Sequence, residues 1–220
     1  MNTDEDLPPK DPAAALRLID EQRATAARRL EPDPLLYYVP WGSAWLIGFG
    51  LLFLRFPPTD EPLVAMPDWL PLATLFTLLG IAGVITAVAG IRSQGHVAGS
   101  SARRGAWYGW SWPLAFLTLF AVATRVSDTL PPDLTGLLWS ALSVGISGIL
   151  LMAGGAVFLD RGLFLLGVAV IVVNLVGTFA GPGWHSLVVA VAGGGGMLLT
   201  GLVSRLRCRG RSQGRSRGRR

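Results

Sequence analysis

Few side chains in this 220-residue chain could carry chemistry. His96 and His185 are the two histidines, Cys208 is the one cysteine, and Asn174 is an amide set in a long apolar stretch. Two histidines could hold a metal or a haem if the fold brought them together. There is no HExxH pair for zinc hydrolysis and no Walker-type loop for ATP, so both of those chemistries lack their usual residues. A lone cysteine makes no internal disulfide. Two features remain as candidate sites for a ligand or for close packing: Asn174, and the run Gly193, Gly194, Gly195, Gly196.

The elements that position these residues follow from composition. The chain is 51% apolar and 15% charged, with 28 glycines. The charged share of a soluble domain is about a quarter, so this composition belongs to the membrane class. Six apolar runs cover more than half the chain: residues 39–56, 69–91, 105–124, 134–158, 162–180 and 184–203. Each is near the ~20 residues that a helix needs to cross ~30 Å of hydrocarbon. Their continuous apolarity differs from the alternation of a barrel strand, and lipid demands self-satisfied backbone. The expected fold class is therefore all-α: a polytopic bundle of six transmembrane helices over residues 35–204, with an N-terminal cytoplasmic amphipathic helix. A soluble enzyme on one anchor, a nucleic-acid-binding globule and a secreted disulfide scaffold are excluded.

Orientation follows from the arginines. Alternate segments between the runs hold seventeen Lys and Arg residues, whereas the opposite set holds only Arg55 and Arg125. The positive-inside rule then places both termini in the cytoplasm, in a multi-pass plasma-membrane protein. Trp41, Trp107 and Trp110 fall at the cytoplasmic boundaries, Trp69 and Trp184 at the outer ones, as interfacial aromatics should. The first run follows a long acid-rich segment rather than a short basic one, so it reads as an uncleaved anchor. On this topology His96 belongs to a cytoplasmic loop and His185 to an outer one, so the bilayer separates them. None of the six runs has a charged residue in its interior, which removes the simplest route to proton-coupled transport. The expectation is a non-enzyme without a cofactor or metal.

Both ends of the chain are polar. Residues 1–10 should be disordered. Residues 11–34 read as a juxtamembrane amphipathic helix and turn, opened by Asp11-Pro12 and closed by Glu31-Pro32-Asp33-Pro34. At about 100° per residue, Ala15, Leu16, Ile19, Ala26, Ala27 and Leu30 share a face opposite Arg17, Glu21 and Arg28. Residues 12–30 could lie at the lipid interface or dock a cytoplasmic protein partner. Residues 205–220 hold eight arginines and no acid. They should form a disordered basic tail whose Arg205, Arg207, Arg209 and Arg211 contact anionic lipid. The tail has no aromatic on which a base could stack, which argues against nucleic acid as its partner.

Within the bundle, Asn174 can bond across to a neighbouring helix or touch a ligand near the midplane. The tetraglycine can admit close backbone approach, or unwind to form a site as in discontinuous transporter helices. Pro113 should kink the third helix. Trp41-Gly42-Ser43-Ala44-Trp45 and Tyr108-Gly109-Trp110-Ser111-Trp112 share an aromatic-Gly pattern at the openings of the first and third helices, hinting at repeated hairpins.

The stretch DPAAALRLIDEQRATAARRLEPDPLLYYVPWGSAWLIGFG, the segment RRGAWYGWSW and the closing AGPGWHSLVVAVAGGGGMLL resemble a family of uncharacterised actinobacterial six-helix membrane proteins. The resemblance spans residues 11 to about 203. Eighteen arginines against one lysine suit a GC-rich bacterial source. Members often accompany a winged-helix transcriptional regulator, which implies a regulatory or transport context but assigns no residue a role. The leading expectation is a membrane sensor or partner-binding component. The alternative is a passive or uncoupled transporter of a small solute, with Asn174 and the glycines lining its path.

Overall fold

The computed structural model describes residues 13, 15–18, 34–59, 61–94 and 100–217. Helices are the regular elements among them, without a strand. They are α1 (Pro34–Arg55), α2 (Trp69–Gln94), α3 (Ser100–Ser127), α4 (Pro132–Phe158), α5 (Arg161–Ala180) and α6 (Trp184–Val188). A π-helical segment (Val189–Gly195) joins α6 to α7 (Gly196–Arg217). Five stretches are long and apolar enough to cross a membrane: Leu35–Arg55, Trp69–Gly90, Pro132–Phe158, Arg161–Ala180 and Trp184–Leu206. The chain thus has the character of a multi-pass membrane protein.

The expected third span is the exception. Its helix, α3, has 28 residues but is not among the five. Its first half carries Arg103, Arg104, Tyr108, three tryptophans and Pro113, and only beyond Pro113 does a dense aliphatic run begin. Tryptophan and tyrosine favour the membrane interface over the hydrocarbon, which lowers the apolarity of the helix as a whole.

Local chemistry explains the boundaries. Pro34 opens α1 in the first helical turn, where its missing N–H does no harm. The two-residue turn between α4 and α5 uses Leu159 in the left-handed region (φ 55°). Asp160 then caps α5, its carboxylate accepting from the backbone N–H of Gly162 at 2.8 Å and Leu163 at 3.1 Å. Between α5 and α6 the chain reverses over Gly181-Pro182-Gly183. Both glycines have positive φ, and a Cβ on Gly183 would sit 2.6 Å from the backbone nitrogen of Pro58. At the same end, Arg55 and Asp68 form an ion pair that ties α1 to the start of α2.

In space the helices follow the order α2, α1, α6–π–α7, α5, α4, α3. Sequential neighbours pair as α1–α2, α3–α4, α4–α5 and α5–α6, while α2 and α3 separate to the two flanks, next to one partner helix each. The shared core contains Ala44, Trp45 and Phe49 of α1, Val144 of α4, Val170 of α5, and Val189 and Ala190 of the π segment. Large apolar side chains such as Phe76, Leu117 and Phe179 point outward, the inside-out distribution of a bundle solvated by lipid.

One expectation about the ends changes. The backbone of α7 continues helical to Arg217, so residues 205–217 depart from the disordered tail expected from their charge. Arginine is a good helix former, and extending an existing helix costs far less than starting one. The N-terminal amphipathic helix and residues 1–10 lie mostly outside the described residues. Within that segment, Ala13 and residues 15–18 are helical.

Candidate functional site

The principal polar constellation among the described residues lies where α4, α5 and α6 meet. Asn174 is buried on α5, with 8% of its surface exposed. Its Nδ2 donates to the carbonyl oxygen of Ala141 on α4 at 3.0 Å. That carbonyl can only accept, so the amide must turn its Oδ1 the other way, toward His185. His185 Nε2 lies 3.0 Å from Asn174 Oδ1 and is therefore the protonated nitrogen, donating to the amide. The other ring nitrogen, Nδ1, is buried and has no hydrogen-bond partner among the described residues.

Two glycines make this junction possible. A Cβ on Gly177 would come within 2.9 Å of His185 Cδ2, so the bare backbone there admits the imidazole between α5 and α6. A Cβ on Gly145 of α4 would stand 3.2 Å from Asn174 Nδ2. Thr178 closes its own hydroxyl onto the Asn174 carbonyl at 2.8 Å. A polar pair inside a membrane bundle must be satisfied from within, and here one side-chain amide bridges three helices.

His185 corrects the sequence reading. The outer-loop assignment followed from the alternating topology, with Trp184 beside it at an outer boundary. The residue does sit in the first turn of α6, and its backbone N–H donates to Gly181 at 3.0 Å. Its side chain, however, is 1% exposed and turned into the bundle. One signal pointed that way: a glycine-rich reversal shorter than a turn of helix folds α5 and α6 onto each other, leaving Asn174 and an early α6 residue within side-chain reach.

The tetraglycine occupies a different contact. The helix does not unwind at Gly193–Gly196; it widens into the π segment. Gly193 faces the indole of Trp45, where a Cβ would meet the ring at 2.9 Å. Gly194 faces the α1 backbone itself, with Leu46 N 2.5 Å and Gly42 O 2.8 Å from a built Cβ. Gly42 returns the contact, 2.9 Å from Gly194 O. Gly195 and Gly196 have nothing within 4 Å. Half of the tetraglycine is therefore a crossing point for α1, and it is not joined to Asn174, whose partners lie on α4 and α6.

Of the arginines expected at the lipid surface, Arg205 is exposed on α7, and the backbone places Arg207, Arg209 and Arg211 farther along the same helix. His96 lies outside the described residues. Cys208 lies on α7. Among the described residues no three His, Cys, Asp or Glu side chains are grouped closely enough to share a metal ion. No protein-family model, curated protein or solved structure matches this chain.

Proposed function

We propose that this chain is a six-span membrane protein with α3 as the sixth crossing helix and both termini in the cytoplasm. In this reading it works without catalysis, as a sensor or partner-binding component of a regulatory system. Three points support α3 as a span. Its 28 residues extend ~42 Å, enough for the whole bilayer. Its packed stripe (Tyr108, Trp112, Leu119, Ala123, Ser127) continues from Tyr108 to the end of the helix. An even number of crossings also keeps the arginine-rich segments on one side, whereas five would put the basic N-terminal segment and the arginines after Ser204 on opposite faces. Of the two outer arginines, Arg55 is neutralised by Asp68.

The observation that carries the functional reading is how the polar and small groups at membrane depth are used. Asn174 is bonded to α4 and α6, and Gly193 and Gly194 are filled by α1. A solute path needs polar groups facing a common gap, and these face neighbouring helices, which weighs against the passive-transport alternative. What remains for interaction is the cytoplasmic edge: residues 12–30, and the basic end of α7 with Arg205, Arg207, Arg209 and Arg211. The resemblance to actinobacterial membrane proteins that accompany a winged-helix regulator fits a cytoplasmic partner at this edge. The test is purification from native membranes with and without residues 1–34. A partner that co-purifies with the full chain should be absent from the truncated one. Recovery of no partner in either case, together with solute flux from liposomes reconstituted with the chain, would overturn this reading in favour of transport.

A further inference from the structure

We infer that the cytoplasmic end of α3 is a binding site for a single anionic phospholipid, separate from the basic tail. This rests on reading α3 as a membrane span. At about 100° per residue, Arg103, Trp107, Trp110, Leu114 and Leu117 fall within one narrow stripe of the helix. That stripe lies about half a turn away from the Tyr108–Trp112–Leu119–Ala123 stripe that packs on α4. The structure leaves it bare: Trp107 is 70% exposed and Trp110 68%, and Arg103, Leu114 and Leu117 are exposed with them. Arg104 is exposed beside Arg103.

The order of side chains along the stripe matches the order of groups in a phospholipid. Two guanidinium groups come first, then two indoles, then aliphatic side chains. Arg103 to Leu117 spans ~21 Å of helix, about half of a bilayer ~40–45 Å thick including its headgroups. Guanidinium groups suit phosphate because they present forked donors with a permanent charge. The indoles occupy the interfacial level, where tryptophan is at home. The leucines then lie along an acyl chain.

Charge complementarity decides for an anionic lipid over a zwitterionic one. α3 contains no acidic residue, and neither Arg103 nor Arg104 has an ion-pair partner among the described residues. Asp160 is the described carboxylate at this end of α4 and α5, and it is occupied in capping α5.

The test uses the full chain in phosphatidylcholine nanodiscs carrying a small share of either doxyl-labelled phosphatidylglycerol or phosphatidylcholine with the same label. Quenching of tryptophan fluorescence is measured, and a W107F/W110F variant isolates the contribution of these two indoles. The labelled phosphatidylglycerol should quench them preferentially. R103Q/R104Q should erase the preference, by about fivefold for each arginine. The variant R205Q/R207Q/R209Q/R211Q should keep it. Equal quenching by both labels in the unaltered chain would overturn the lipid site while leaving α3 in the bilayer. Loss of the preference in the tail variant would overturn it by moving the site to α7. Quenching by neither label would remove α3 from the membrane, and the six-span reading with it.

Discussion

Helix α4 makes two contacts of opposite kinds. Toward α5 it presents bare backbone. A Cβ on Gly167 would lie 2.5 Å from Met152 N and 2.7 Å from Gly148 O, and one on Gly155 would lie 2.4 Å from Phe164 N. Toward α3 it is held by large side chains instead. Tyr108 donates its hydroxyl to Leu150 O at 2.8 Å, Trp139 Nε1 donates to Ser127 Oγ at 2.9 Å, and the rings of Phe120 and Trp139 meet edge to face. Gly154 serves this second contact by clearing space for the Tyr108 ring. Lipid tails are as apolar as leucine, so burying apolar surface between helices brings little advantage in a membrane. Association then depends on how closely backbones approach and on how many polar groups are satisfied. The α4–α5 pair relies mainly on the first, with the Asn174–Ala141 bond added, and the α3–α4 pair on the second.

Substitutions at the backbone contacts should therefore have the largest effect. Gly167→Ala places a methyl group against a backbone nitrogen and a carbonyl oxygen, neither of which can rotate away. The helices must separate, at a cost of about 3 kcal/mol or more. Gly194→Ala should behave alike, because its built Cβ meets Leu46 N at 2.5 Å. Either variant should lose its monodisperse peak in detergent at a temperature well below that of the parent chain. An unchanged melting profile would mean that the close approach contributes nothing.

Next in size is the polar junction. Asn174→Leu removes the bond to Ala141 and strands the His185 Nε2 proton in a dry site, together about 2 kcal/mol. His185→Phe should cost less, since it keeps the bond to Ala141 and leaves only Asn174 Oδ1 unpaired. The double variant should then be less destabilised than the sum of the two, with a coupling near 1 kcal/mol in a denaturation cycle. Strict additivity would show that the two side chains are neighbours without being partners. Tyr108→Phe comes third. It keeps the ring contacts with Trp112 and Phe158 and loses one hydrogen bond between α3 and α4. A loss of about 0.6 kcal/mol is expected, the average for such bonds in membrane bundles.

The sequence defined the helices better than it defined their contacts. The expected runs ending at Phe158 and Ala180 end there in the structure, and those opening at Trp69 and Trp184 open there. Others moved: the runs expected to open at Val39 and Gly105 lie in helices that open at Pro34 and Ser100, and the third is not among the five apolar enough to cross. Asn174 was legible as a cross-helix donor because a lone amide in lipid must find a partner. His185 was not, because its burial depends on how the Gly181–Gly183 reversal aims α6. The spatial order of the helices was hidden for a related reason. An apolar face packed on a neighbour and an apolar face turned to lipid have similar composition, so periodicity does not separate them. For the tetraglycine, sequence alone could not show which two of its four residues would meet α1.

The smallest effect is expected at Gly109, and it bears on the same point. Trp41-Gly42 and Tyr108-Gly109 look alike in sequence, and their aromatic residues do act alike. Trp41 Nε1 donates to Thr86 on α2 at 2.9 Å, as the Tyr108 hydroxyl donates to α4, so each opens its hairpin by reaching the following helix. Their glycines differ. Gly42 is pressed against Gly194 O and Leu198, while Gly109 has nothing within 4 Å. Gly109→Ala adds a methyl group to an open surface and improves helix propensity, so its stability should match the parent within about 0.5 kcal/mol or rise slightly. A marked loss in detergent would mean that something packs on this side of α3 in the solubilised protein, such as a second copy of the chain.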